Sequence, residues 1–357
     1  MNFRVVLKYM GNILMLEGAF MLPAILVALI YGEKSSIPAF VITIFLCCAI
    51  GFLLSKVKQN DRGIYAKEGY ISVALGWILL SFFGSLPFFF SGYIPNIIDA
   101  FFETVSGFTT TGSSILTNVE LLSNSMLYWR SFTHWVGGMG VLVFVIAILP
   151  KKDGSATALA KAEIPGPQFG KLVSKMRFSA RILYAMYVVM TLIEVAILCG
   201  LKMPVFDSFC HAMTTASTGG FSVKNASIAH YNSVGIEVTI TVFMLLFSVN
   251  FNVYFMYIAG QFLKALKNEE TIWMFSIYGV VVAGITTCLV VSSTYATVGE
   301  SLRHASFTVA SIISTTGYVT ANYETWPVFA HILLLAIMFI GGSAGSTAGG
   351  LKVSRVI

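Results

Sequence analysis

The sequence predicts an all-α polytopic membrane protein built from repeated units of helix, pore helix, filter turn and helix, preceded by an extra transmembrane hairpin. Three observations predict it. Of 357 residues 57% are apolar and only 11% are charged, against roughly a quarter charged in an ordinary soluble domain. The apolar residues gather in uncharged runs of about 18 or more positions, enough to cross a hydrocarbon core of about 30 Å. Between these runs a short Thr/Ser-Gly segment recurs three times.

In chain order, spanning runs fall at 11–31, 38–55, 70–91, 126–149, 182–201, 234–260, 271–293 and 327–341, the last of them short. Arg4 and Lys8 ahead of the first run resemble the start of a signal peptide, but the apolar stretch through Ile30 is long and has no small-residue cleavage site, so it reads as a retained helix. The organisation expected is an N-terminal hairpin with a cytoplasmic loop over 1–68, a first pore unit with a second cytoplasmic loop over 69–181, a second unit over 182–270, and a third over 271–357.

A formal net charge of +6 invites a nucleic-acid reading, and the placement of the charge answers it. Arg4 and Lys8 precede the first run, while Lys56, Lys58, Arg62 and Lys67 follow the second. Lys151, Lys152, Lys161, Lys171, Lys175, Arg177 and Arg181 fill the longest loop, and Lys264, Lys267, Lys352 and Arg355 come after it. If the chain weaves as proposed, all of these lie on one side. The positive-inside rule then makes the amino terminus and the loop 150–181 cytoplasmic, and orientation in an inner membrane accounts for the basic excess without nucleic acid. Five cysteines, Cys47, Cys48, Cys199, Cys210 and Cys288, lie in or beside apolar runs without metal-ligand spacing and read as structural thiols.

Stacked on their glycines, the three repeats are Asp99 to Gly112, Asp207 to Gly220 and His304 to Gly317. In the first two an Asp stands thirteen residues before the glycine and a Phe eleven before it. About ten residues of helical pattern precede each glycine, and such a helix reaches only about 15 Å, so it enters the membrane without crossing. Asp99 and Asp207 suit the amino end of such a helix, where a carboxylate meets free N–H groups. The carboxyl ends, with partial negative charge, then point to the membrane centre and favour a cation there.

Thr109, Thr110, Thr111 and Gly112, then Ser217, Thr218, Gly219 and Gly220, then Ser314, Thr315, Thr316 and Gly317 form the candidate selectivity filter. A dehydrated alkali cation needs oxygens to replace its water, and rings of backbone carbonyls from several loops supply them. Glycine permits the left-handed backbone that turns carbonyls toward one axis, and small hydroxyl side chains add oxygen with little bulk. Irregular backbone at that depth survives only where it is buried in protein or lines a wet cavity. Gly137, Gly138 and Gly140 differ: they lie inside a spanning run and read as helix-packing glycines.

These repeats, Ser106-Gly-Phe-Thr-Thr-Thr-Gly112 above all, together with Gly341-Gly-Ser-Ala-Gly-Ser-Thr-Ala-Gly-Gly-Leu-Lys352, resemble the Trk/Ktr superfamily of potassium transporters over essentially the whole chain. The additional hairpin is similar to the Trk-type membrane subunits and not to the shorter Ktr type. The resemblance implies potassium uptake, four fused pore units around one pathway, a homodimer, and a cytosolic regulatory partner of the TrkA kind that carries the nucleotide. No cofactor of the chain's own is implied; potassium is its substrate.

The Gly-rich stretch, with Gly341, Gly342, Ser343, Gly345, Ser346, Thr347, Gly349 and Gly350, is not a fourth filter. Successive filter glycines stand 108 and 97 residues apart, but Gly349 follows Gly317 by 32, too few for two helices and a half-helix. Five glycines in ten residues, at about 1 kcal/mol each, break a helix there. In the family the matching stretch resembles an intramembrane gate beneath the filter. The three turns are thus three of an expected four, the fourth about 100 residues beyond Gly317 by extension of the repeat, and the chain reads as a fragment or short form without it.

Several ionisable or amide residues lie within apolar runs: Glu103, Glu194, Asn250 and Asn252 either line a pathway or bond helix to helix. Lys352 and Arg355 are either part of the cytoplasmic mouth or simple anchors. His134, His211 and His304 share no ligand spacing. No His-Glu-xx-His or Gly-x-Ser-x-Gly pattern occurs, so the chain is not read as an enzyme. A secondary transporter of an organic solute is the alternative from another class; it requires breaks in inverted pairs, whereas these repeat in one orientation.

Overall fold

The computed structural model describes residues 3–57, 66–140 and 176–357. Outside the described residues fall the end of the run 126–149, most of the loop 150–181, and the basic residues Lys58, Arg62, Lys151, Lys152, Lys161, Lys171 and Lys175. The described secondary structure is helical, apart from one isolated backbone bridge between Ile340 and Leu351. Five described helices are long and apolar enough to cross a membrane, or six if one bent pair is a single span. The chain is a multi-pass membrane protein. It divides into two compact units, Met1–Tyr184 and Ala185–Ile357.

In the first unit, α1 (Phe3–Ile30) and α2 (Ile37–Ser55) form the hairpin. Gly11 and Gly51 let their backbones nearly touch: a Cβ on Gly11 would lie 2.6 Å from the Gly51 carbonyl oxygen. The hairpin loop also serves a later helix. The Glu33 carboxylate accepts from the N–H groups of Asn124 and Ser125, at 2.6 and 2.9 Å, capping the positive end of α5 (Asn124–Gly138). Between them lie α3 (Ala66–Phe90) and the half-helix α4 (Ile97–Phe108).

The second unit holds most of α6 (Met176–Gly200), the half-helix α7 (Val205–Ala216), α8 (Val234–Ser248), α9 (Phe251–Ile258) and the short α10 (Phe262–Leu266). The chain continues with α11 (Glu269–Val291), the half-helix α12 (Val298–Ile313), α13 (Val328–Met338) and a last turn, α14 (Val353–Val356). Leu198, Ile240, Met244, Met274, Phe307 and Ile313 belong to one buried cluster, and Ile285, Leu289, Val309 and Leu334 to another. Large apolar side chains remain outward, Phe45, Val280 and Leu335 among them, as a lipid solvent allows.

Three spans differ from expectation. Within the run 126–149, α5 already ends at Gly138 and Gly140 beyond it is left-handed at φ 75°, so Gly140 is not a glycine inside a helix. The run 234–260 is not one helix: α8 and α9 are bent by 89°. Asn250 starts a new helix there, its Oδ1 accepting from the Asn252 N–H at 2.9 Å, and the Phe251 N–H donates outside the helix, to the Gly345 carbonyl at 3.1 Å. The run 327–341 is helical for only 11 residues, because the backbone beyond Phe339 turns to pair with Leu351.

The caps also differ. A side-chain cap must precede the first helical residue, in extended backbone. Asn96 does so for α4, its Oδ1 accepting from Ile98 N–H at 2.9 Å, and Pro204, with no side-chain acceptor, holds that position for α7. Asp99 and Asp207 are therefore not caps. They occupy the first helical turn, where their charge still meets the dipole. The third half-helix has a side-chain cap, Thr297 Oγ1 accepting from Glu300 N–H at 3.1 Å.

Candidate functional site

Each half-helix ends in the same way. After a C-cap in right-handed backbone at Thr109, Ser217 or Ser314, the next residue is left-handed: Thr110 at φ 55°, Thr218 at φ 52°, Thr315 at φ 59°. Two residues on, Gly112, Gly220 and Gly317 are left-handed again, at 78°, 80° and 86°. In the first turn Thr110 N–H donates to the Gly107 carbonyl and Thr111 N–H to that of Ser106, at 3.1 and 3.0 Å. The second turn repeats this with Thr218 to Thr215 and Gly219 to Thr214, and the third with Thr315 to Ile312 and Thr316 to Ser311, all at 2.9 Å.

This is a Schellman closure with threonine where glycine is usual. A non-glycine residue in left-handed backbone costs about 1–2 kcal/mol, and a β-branched one is a true outlier. Three such residues at one register mark stored strain of the kind that collects at functional sites. The closure also uses turn N–H groups internally, so what each half-helix presents beyond its end is rich in carbonyl oxygen. Several hydroxyls point back as well: Thr109 Oγ1 donates to Val105 carbonyl at 2.7 Å and Ser217 Oγ to that of Met213 at 3.0 Å. Main-chain oxygen, more than side-chain oxygen, is what remains unengaged at these turns.

In the first unit the turn is braced by Glu103. Its carboxylate accepts from Ser114 Oγ at 3.0 Å, from Ile115 N–H at 2.9 Å and from Arg130 Nε at 2.6 Å. Both charged side chains are almost wholly buried, at 0% and 4% exposure. This resolves the role of Glu103 as bonding, not lining. Gly137 in α5 is the packing glycine expected of it, since a Cβ there would lie 2.0 Å from the Phe108 carbonyl oxygen.

His211 takes the same place in the second turn. Its Nδ1 donates to the Asp207 carbonyl at 2.8 Å, leaving Nε2 to accept from Ser222 Oγ at 3.0 Å. Glu103 and His211 both stand nine residues before their glycine, and Ser114 and Ser222 both stand two after it. Reading the repeat through this register would have singled out Ser114 and Ser222; Arg130 carried no such signal. The second and third turns meet directly, because a Cβ on Gly220 would lie 1.8 Å from the Thr316 carbonyl oxygen.

The Gly-rich segment forms a loop closed at its neck, where Gly341 N–H donates to the Leu351 carbonyl at 2.8 Å. A Cβ on Gly341 would lie 1.9 Å from the Gly349 carbonyl oxygen. One side enters the α8–α9 break: Ser343 N–H donates to the Ser248 carbonyl at 2.9 Å and Thr347 Oγ1 to that of Phe247 at 3.1 Å. The other side reaches the third turn, where Gly349 N–H donates to Thr315 Oγ1 at 2.7 Å. Glu270 anchors the loop, its Oε1 accepting from the N–H groups of Ala344 at 2.5 Å and Ser354 at 3.3 Å. Lys352 Nζ donates to the Ala348 carbonyl within the loop, and Arg355 is exposed. Glu194 lies fully buried in α6.

A family model described as TrkH, cation transport protein, matches residues 36–273 and 269–357. The chain is 36% identical to a Trk system potassium uptake protein TrkH of Salmonella typhimurium over its whole length and 74% of that protein's. It is 31% identical to the TrkG of Escherichia coli, again over all of this chain and 74% of the relative. The crystal structure of the potassium transporter TrkH from Vibrio parahaemolyticus superposes with a TM-score of 0.88 at 31% identity, covering all of this chain and 74% of that one.

Proposed function

Since the chain belongs to the TrkH family of cation transport proteins, we propose that it takes up potassium through a filter of backbone carbonyls at Thr109–Gly112, Ser217–Gly220 and Ser314–Gly317. One observation carries this reading: three half-helices end in the same strained, doubly left-handed turn. That backbone is expensive for threonine, and a carbonyl cage for a dehydrated cation is what it would serve. The family is one of transporters, and the chain is not an enzyme. Relatives named as potassium uptake proteins support potassium as the cation.

Around this filter the reading has the Gly341–Gly350 loop as gate, the amino terminus on the cytoplasmic side of a bacterial inner membrane, and a homodimer. A cytosolic TrkA-type partner carries the regulatory nucleotide, and this chain needs no cofactor. The test is rubidium and potassium uptake by the full-length protein in cells lacking other potassium systems. Growth rescue in potassium-poor medium is expected. Absence of both rescue and uptake, with the protein present in the membrane, would overturn the reading.

The gate assignment has its own test at Glu270. Hydrogen bonds to a charged group contribute about 1.5–3 kcal/mol, and Glu270 accepts two. One of those two bonds reaches the loop, at Ala344, and the other reaches Ser354 in α14 behind it; replacing the carboxylate, Glu270→Ala, is expected to raise rubidium flux several-fold in the absence of the regulatory partner. Flux that stays at the resting level would show that the loop is not what limits conduction.

A further inference from the structure

The third turn is followed by a residue that reaches back to the second. Tyr318 is 2% exposed, and its hydroxyl is hydrogen-bonded to Thr214 Oγ1 in α7. Thr214 has donor use of its own in the carbonyls of Cys210 and His211, both at 3.1 Å, so its oxygen is left to accept from the tyrosine. The carbonyl oxygens of His211 and Phe221 lie 3.2 and 3.5 Å from the same hydroxyl. The ring packs on His211, with centroids 5.8 Å apart.

At its other end Tyr318 is fixed to its own half-helix. Its carbonyl accepts from Ser311 Oγ at 2.8 Å. Ser311 and Thr214 both stand six residues before their glycine, so equivalent hydroxyls of two repeats grip one tyrosine from opposite ends. The residues after the glycines of the other two turns, Ser113 and Phe221, have no comparable aromatic hydroxyl. A rigid ring pinned at both ends, beside the point where Gly220 meets the Thr316 carbonyl, opposes any change in the separation of the two turns.

We propose that Tyr318 is a positioning residue for cation selection, a strut from the third turn to α7 that holds the carbonyls of the second and third turns at one spacing. It rests on the filter reading above. A filter released from the strut can close around a smaller ion, so discrimination weakens while the pathway stays open. Its position behind the turns, with the hydroxyl used on protein groups, separates this role from direct contact with the ion.

The experiment compares Tyr318→Phe, Thr214→Val and the double variant in the full-length protein, measuring rubidium uptake in competition with sodium. The expected result is a fall of about tenfold in preference over sodium, equivalent to about 1.4 kcal/mol of differential binding, with maximal uptake largely kept. The double variant should be no worse than either single one. Unchanged preference in both single variants, or effects that multiply, would overturn the strut.

Thermal unfolding of the same variants in detergent reads the strut without transport: their destabilisations should sum to more than the double variant shows. Additive shifts there also count against it. Coupled unfolding among these variants, in a protein whose wild type takes up no rubidium, would overturn the transport reading and with it the role in selection, leaving only the contact between Tyr318 and Thr214.

Discussion

Gly220→Ala is expected to abolish selective uptake. Two penalties combine. The residue is left-handed at φ 80°, where an L side chain costs about 1–2 kcal/mol, and the new Cβ would lie 1.8 Å from the Thr316 carbonyl oxygen. Such an overlap forces the second and third turns apart, and the displaced atom belongs to the proposed filter itself. Gly317→Ala is the natural comparison. It shares the backbone strain, at φ 86°, but a Cβ there meets nothing within 4 Å. Rubidium uptake with sodium competition should show a severe loss for Gly220→Ala and a partial one for Gly317→Ala. Equal losses would mean that contact between the two turns is not what sets selectivity.

The second large effect is expected at Arg130. Its partner Glu103 has 0% side-chain exposure, and removing one member of a buried pair typically costs about 3–5 kcal/mol because the other charge is left uncompensated. Arg130→Ala should lower the unfolding midpoint sharply and reduce the amount of protein in the membrane. It should also loosen the first turn, since Glu103 holds Ser114 and Ile115 immediately beyond Gly112. Neutralising both, Glu103→Gln with Arg130→Met, should restore much of the stability, because no isolated charge remains. If the double variant is as unstable as Arg130→Ala, packing and not charge is what the pair supplies.

The site was legible in sequence to different depths. The half-helices and the turns at Gly112, Gly220 and Gly317 could be read, because a repeated glycine register reports directly on backbone that must go left-handed. The left-handed threonines one step after each C-cap could not, since nothing in the composition of Thr-Thr or Ser-Thr shows which residue will carry the strain. Asp99 and Asp207 each lie three positions past the cap, at Asn96 and Pro204: an acid favours the whole first turn of a helix through the dipole, so its presence locates the turn and not the boundary. The break at Asn250 was hidden inside an apolar run, because a helix can be interrupted there only if another segment satisfies its freed backbone groups. That segment is Gly345 and its neighbours, nearly a hundred residues later.

What the sequence by itself determined is local and periodic: which runs are apolar, where the short half-helices lie, where glycine is required, and which repeat each belongs to. These follow from hydrophobicity and backbone sterics, which act on neighbouring residues. What only the tertiary structure decided is pairing: Glu103 with Arg130, Tyr318 with Thr214, Glu270 with Ala344, Gly349 with Thr315. In an apolar interior a polar group must find a partner wherever the fold brings one, and that choice depends on three-dimensional proximity, which no spacing along the chain encodes.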